Sequence, residues 1–527
     1  MRKSLICFGI CAALAVGSIA IPATAEDVET VVTFGMGSAW ADLVPYNGSS
    51  GGYYSGAVLS LLYDRLAYID VYGNITPRAA DSWEISDDKL SITFHLNEDA
   101  TWSDGEPVTA EDFVFAVEMI TDPDCTANQK SCYSILTGTD LSGNADGDEL
   151  GAEAVDTYTL KYTFDSPISE DVMFPSYFLY YLALPEHLLS GCDPADYTTN
   201  ELWNAPVGNG PCVFDSQIAG SELVLDSNES YHMGAPKFDK MKITVMAASN
   251  MASALMSGDL DMAYPPMSTD DIETMELADN LNVLNMDIAT QPWMIIVNQD
   301  VYSDSRINKA IDLCIDRDTI AAMIGNAMAI ESPILSSTKY YDESCTYTYD
   351  PETAKSLIEE AAADGAIDLS KPITICTPAG DRERVANVLQ QNLEAIGVSS
   401  EIQVMEAATM FAGFYDGTTG IGLVNMTFAT NPMYLRGMLT NDSASFLNID
   451  ADTWDDYYDS FMNAKTEEEE IEIVKQMQQT WLEEEPIIFY AATYEDYAYS
   501  TRFGDEGIGL EDLGYQNIPV WDWEIEY

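Results

Sequence analysis

The residues that could do chemistry are few. The histidines are His95, His187 and His232, and none stands in the His-Glu-x-x-His frame that holds a catalytic zinc. His95 falls inside the alternating run Leu90–Leu96, where a structural role is expected. Gly48-Ser49-Ser50-Gly51-Gly52 matches a nucleophile-elbow pattern centred on Ser50. That elbow needs a strand before it, a helix after it and a partner histidine. Here a Gly/Ser/Asn loop surrounds it, so a secreted hydrolase using Ser50 is only the rival class. Gly35-Met36-Gly37 lacks the third glycine of a dinucleotide fingerprint. Ser142, Asn144, Asp146 and Glu153 fall at positions 1, 3, 5 and 12 of a calcium-loop spacing, with Gly147 at position 6. Glu149 occupies position 8, where an apolar residue is usual, so an acidic surface loop is the competing reading. Beyond that weak candidate neither metal nor cofactor is expected.

Cysteine use agrees. Seven cysteines follow residue 25 and no Cys-x-x-Cys pair occurs, which argues against zinc. Cys125 and Cys132 enclose a polar six-residue loop, and an oxidising compartment would allow them to form a disulfide.

The first 25 residues carry Arg2 and Lys3, an apolar run from Leu5 to Ile21 and a small-residue site at Ala23-Thr24-Ala25. This is the pattern of a secretory signal peptide, with an N-terminal membrane anchor as the alternative. The expected product is exported: periplasmic, cell-envelope associated or extracellular. The formal charge is −66, and the chain after residue 25 carries about −68 (20 bases against 88 acids). Such a surface excludes nucleic acid as a partner. The acids serve either solubility or a cationic ligand.

The elements that must position any site alternate in kind. Residues 28–36, 90–96, 158–164, 222–228 and 240–246 read as strands, and residues 55–66 and 110–120 as helices. After about residue 305 the pattern becomes β-α-β: one long helix over 305–324, a helix over 350–364, a strand at 373, a helix over 383–397, a strand at 399 and an amphipathic helix from 466. No repeat or flexible linker interrupts the chain, so its domains are expected to be knitted by several crossings.

One stretch identifies a likeness. Residues 73–116 carry Pro77, Ala80, Trp83-Glu84, Trp102, Asp104-Gly105, Pro107, Thr109-Ala110 and Glu111-Asp112. Asp104-Gly105 supplies a turn, Thr109 is placed to cap a helix, and Trp102 packs on the turn as framework. The series resembles family 5 of the extracellular solute-binding proteins, which serve ABC importers of peptides, nickel chelates and some sugars. Residues 205–214 (APVGNGPCVF), Asn298, Asp304, Arg306 and Ala310–Arg317 continue the likeness in order. It implies an α/β, two-lobed periplasmic-binding-protein fold (type II, cluster C) with an extra inserted domain. On that pattern residues 1–25 are the signal. Domain I takes 26–60, 206–289 and 490–527; the inserted domain II takes 61–205; domain III takes 290–489. Hinges fall near 286–294 and 486–492. The partners implied are a small-molecule solute and an ABC permease, and the chain is expected to be a monomer.

Site residues follow from the same likeness. Trp293, where the chain enters the second lobe, is either a pocket wall or a core Trp under the hinge. Tyr53 and Tyr54 follow a Gly-rich loop that could face the cleft. Peptide binders of the family hold the ligand amine with an Asp in a Trp-x-x-Asp segment before a Pro. Here those positions fall on Asn425 and Phe428 before Pro432, and no acid lies between Asp416 and Asp442. Asn425, Thr427 and Phe428 would suit neutral hydrogen bonding and stacking. Arg384 and Arg436 would meet an anionic group or sit on the surface.

Overall fold

The computed structural model describes residues 29–47, 52–70, 72–147, 149–264, 269–425, 432–434, 446–447, 451–504, 508 and 518–525. Strand β1 (Val31–Met36) opens the first lobe. An insertion follows, carrying β2 (Ala67–Ile69), β3 (Ile75–Pro77), β4 (Ala80–Ile85), β5 (Ser91–Leu96), β6 (Ala152–Asp156) and β7 (Thr159–Thr163). The chain then returns through β8 (Cys212–Ile218), β9 (Glu222–Ser227), β10 (Lys240–Val245) and β11 (Met262–Tyr264). Next come β12 (Leu281–Val297), β13 (Ala327–Ala329), β14 (Ile373–Thr377), β15 (Ser400–Val404), β16 (Ile421–Asn425) and β17 (Ile488–Ser500).

One large sheet runs β15-β14-β16-β12-β17-β11-β1-β10-β9-β8, with β13 also on β17. Parallel pairing occurs in two places. β1 lies parallel to β10 and β11, and β14 lies parallel to β15 and β16. Each parallel set is the centre of one lobe. Between them β12 and β17, 17 and 13 residues long, run antiparallel through both halves. Their register breaks between Asn285 and Ala289, between Ala289 and Gln291, and between Trp293 and Met294. Such breaks bend a ladder locally. They place the bend where the strands pass from one lobe to the other.

The insertion is a four-stranded sheet, β4-β5-β7-β6, covered by the helix Ala110–Thr121. Thr109 starts that helix in a capping box with Asp112, whose carboxylate accepts from the Thr109 N–H at 2.8 Å. Trp102 is buried and its Nε1 faces the same carboxylate at 3.4 Å. Gly105 turns the chain between them at φ +94°. The Trp is thus a wedge between a turn and a helix start. Where the insertion returns, Gly208 runs so close to Leu62 that a Cβ would lie 2.0 Å from its carbonyl oxygen. Gly210 is placed likewise, 2.7 Å from the Leu61 oxygen. The two glycines let the outgoing and incoming chains cross backbone to backbone.

The long helix expected over 305–324 is two helices, Ser305–Leu313 and Arg317–Ile324. Asp316 breaks it, leaving helical geometry to accept the Thr319 N–H as an N-cap. Cys125 and Cys132, expected to pair, are both free and buried. Burial pushes the Cys132 thiol up, so it behaves as a small apolar residue. The Thr126 and Thr198 hydroxyls, 2.8 Å apart, instead hold the segment after Cys125 beside the chain that follows Cys192.

Candidate functional site

In open α/β sheets ligands collect at the carboxyl ends of parallel strands. In the second lobe those ends are Thr377 and Asn425. The helix Asp381–Ala395 begins just beyond β14, with Gly380 at its N-cap. Its second residue, Arg382, turns back so that Nη1 donates to Asn425 Oδ1 at 2.6 Å. Asn425 Nδ2 in turn donates to Gln291 Oε1 at 3.3 Å, and Gln291 Nε2 donates to Glu495 Oε1 at 3.2 Å. The Tyr497 hydroxyl completes the chain on Glu495 Oε2 at 2.6 Å. A hydrogen-bonded relay therefore runs from the second lobe, through a break in β12, to β17.

The surroundings of this relay are apolar and aromatic. Trp293 pairs across the ladder with Asn425. It is 5% exposed, lies edge-on to Tyr490 and donates from Nε1 to Thr493 Oγ1 at 3.3 Å. It packs with the second-lobe core. The Tyr490 hydroxyl is buried without a partner among the described residues, and Arg382 is its charged neighbour. Burial pushes the Arg382 pKa down. On the first-lobe side Tyr264 ends β11 and meets Tyr54 edge-on, with ring centroids 6.3 Å apart. Burial raises the Tyr497 pKa, and Glu495, Tyr264 and Tyr68 raise it further.

Arg382, Gln291 and Glu495 were not singled out by sequence. Arg384 was, and its half-exposed side chain pairs with Asp381 one turn back. Thr427, Phe428, Arg436 and Ser50 lie outside the described residues, as do residues 1–25. Tyr53 lies in the helix Gly52–Leu62 beside Tyr54. The calcium-loop residues are not assembled around a common point. Lys130 Nζ already donates to Asn144 Oδ1 at 3.1 Å, Asp140 accepts the Ser142 and Asn144 N–H groups, and Glu153 sits in β6. Among the described residues no three His, Cys, Asp or Glu side chains group as metal ligands. His187 is held by Asp104 within the insertion, and His232 of the first lobe is held by Asp64 where the insertion begins, each at 2.8 Å. Among the described residues no helix is long and apolar enough to cross a membrane.

Among the described residues two ion pairs join the insertion to the second lobe. Lys339 Nζ meets Asp171 at 2.9 Å, and Lys89 meets Glu470 at 3.1 Å. The Tyr340 hydroxyl donates to Asp171, and the Ser169 hydroxyl to Glu470.

Comparison with known proteins agrees with this geometry. Residues 74–445 match the model for bacterial extracellular solute-binding proteins, family 5 Middle. The periplasmic oligopeptide-binding protein OppA of Escherichia coli is 25% identical over 488 residues, covering 86% of each chain. OppA of Salmonella typhimurium is 26% identical over 475 residues, covering 84% of each. Among solved structures, the ABC transporter substrate binding protein CtaP of Listeria monocytogenes superposes with a TM-score of 0.81 at 21% identity. The match covers 95% of this chain and 100% of that one. The oligopeptide-binding protein AppA of Bacillus subtilis, solved with a nonapeptide, gives 0.75 at 19% identity, covering 95% and 100%. The fold is the two-lobed type II, cluster C periplasmic-binding-protein fold.

Proposed function

Because the chain belongs to the family 5 bacterial extracellular solute-binding proteins, we propose that it captures a peptide or peptide-like solute between its lobes and delivers it to an ABC permease. The observation that carries this reading is the family match across residues 74–445, which covers most of the insertion and β12, one of the two strands that cross between the lobes. The relay from Arg382 to Glu495 supports it. A row of donors and acceptors set among Trp293, Tyr490, Tyr264 and Tyr54 suits an amphipathic solute bound by stacking and hydrogen bonds. The protein acts by binding and release, from an exported position, without turnover. Domain boundaries near 60, 205, 289 and 489 fit a chain that enters and leaves the insertion once and crosses between lobes on β12 and β17. Closure is a hinge motion about the register breaks.

A second reading is favoured by one feature. No acid lies between Asp416 and Asp442, where peptide binders place the amine anchor. A desolvated ammonium without a charge partner costs several kcal/mol. A solute lacking a free amine at that end would fit the same cleft.

A thermal-shift screen of dipeptides, oligopeptides and oligosaccharides tests both. A solute at 100 times its Kd stabilises the folded state by about 2.7 kcal/mol. Peptides should raise the melting temperature and emerge unaltered after incubation. Consumption of any solute would sink the binding reading. Binding that vanishes when the amine is acetylated would sink the amine-free one.

A further inference from the structure

The second lobe holds a cavity apart from the relay. Its volume is about 300 Å³, at the lower end of the range for small-molecule sites. It lies where the helices Ser305–Leu313 and Arg317–Ile324 meet the end of the helix Glu467–Glu484 and the start of β17. Phe489 in its wall stands six residues before Glu495, about 20 Å along an extended strand.

Two charged groups in this wall are short of partners. Arg317 is 4% exposed. Its Nε donates to the Ile330 and Phe489 carbonyls at 3.1 and 3.0 Å, and its Nη2 donates to Asp312 at 2.6 Å. Its Nη1 has no hydrogen-bond partner among the described residues. The Tyr347 ring, also part of the wall, lies 4.8 Å from this guanidinium. Glu331 is the second group. It makes no ion pair among the described residues, and its Oε2 accepts from the Tyr341 hydroxyl at a long 3.4 Å. Burial pushes its carboxyl pKa up. The remaining charges of the wall are engaged. Lys309 is shared between Asp312 and Glu485, and Asp350 caps a helix by accepting the Thr353 N–H at 3.0 Å. The wall therefore sets four acids against two bases, and its unmet demands are one donor and one acid. Each such group is costly when buried without a partner.

We propose that this cavity binds a small zwitterionic amino acid with an apolar side chain, its carboxylate on Arg317 and its ammonium on Glu331. A guanidinium N–H suits a carboxylate oxygen, and a free carboxylate suits an ammonium. One ligand carrying both charges meets both demands and leaves the net charge of the wall unchanged. Leu313, Trp481 and Phe489 supply apolar wall for the side chain. An acidic side chain is disfavoured by the excess of acids. The site is separate from the cleft between the lobes and does not depend on the solute-binding reading.

The test is titration calorimetry on the chain from residue 26 onward with three probes: leucine, leucinamide, which lacks the carboxylate, and N-acetyl-leucine, which lacks the ammonium. Leucine should bind, and each of the other two should bind roughly tenfold or more weakly. Glu331→Gln should weaken leucine by a similar factor. Thr346→Trp, which fills the cavity from an exposed position on its wall, should abolish leucine binding. Both variants should keep the wild-type affinity for any peptide that binds the cleft. Absence of leucine binding overturns the proposal. So does leucine binding that survives both substitutions, which would place leucine in the cleft instead. Leucinamide or N-acetyl-leucine binding as tightly as leucine also overturns it, because recognition would then not use both charges. Failure of every peptide to bind, with leucine still lost in Thr346→Trp, strikes the solute-binding reading and leaves this site standing.

Discussion

Glu485 has a left-handed backbone, φ +45°, at the end of the helix Glu467–Glu484. Its carboxylate pairs with Lys309 and lies against Asp312. Burial, first, and Asp312, second, push its pKa up from 4.5 to about 7. A carboxyl raised by folding is protonated more readily in the folded state than in the unfolded one. Its cost to stability is therefore absent below about pH 4.5 and complete above about pH 7. The size is at most about 3 kcal/mol. Urea midpoints measured at pH 5 and pH 8 should fall less for Glu485→Gln than for the wild type, and parallel curves would refute the assignment. At the same scale, Arg382 and Arg384 show what sequence withheld. Two residues along a helix differ by about 200° in direction. One therefore turns to Asn425 and the other to solvent, and the start of the helix at Gly380 decides which.

Elements were more legible than their ends. The strands Ser91–Leu96 and Thr159–Thr163 of the insertion and the helix Ala110–Thr121 follow from alternation and from Thr109 with Asp112, because local pattern and final packing agree there; the neighbouring strands Ala80–Ile85 and Ala152–Asp156 lack so clear a pattern and were not read. The split at Asp316 was missed because the apolar spacing continues across it, and only the cap reveals the break. The register breaks in β12 have no local signal, since they arise from how two long strands meet. The crossing at Gly208 is a sharper case. Its pair of glycines was visible in the motif, but their reason lies in Leu62, far away in sequence. Gly208→Ala should destabilise the protein by about 3 kcal/mol, because the added Cβ meets backbone that cannot yield. Gly191→Ala, where a Cβ would have open space, should change stability by less than about 0.5 kcal/mol. Equal effects in chemical denaturation would remove the explanation.

At the scale of the whole molecule, the lobes are joined by β12 and β17 and bridged again through the insertion by Lys339–Asp171 and Lys89–Glu470. The second connection is polar and partly exposed, so salt should weaken it. In solution scattering at low salt, an Asp171→Ala, Glu470→Ala double variant should have a larger radius of gyration than the wild type. The difference should shrink at about 1 M salt, where the Debye length is about 3 Å. A double variant as compact as the wild type would show that the bridges do not hold the lobes together.

The place of β17 in the sheet also sets an order of assembly. The last long strand lies between β12 and β11, so the middle of the sheet is supplied by the end of the chain. Arg502, just beyond it, reaches the Val31 carbonyl across 471 residues. The insertion needs no such wait, because all the strands of its sheet lie between Ala80 and Thr163. Contacts between distant parts of a chain are slow to form, since loop closure must come first. A chain ending before residue 486 can thus fold its insertion while β12 alone carries the backbone between the lobes, and the second strand that ties them together arrives only with residues 488–500.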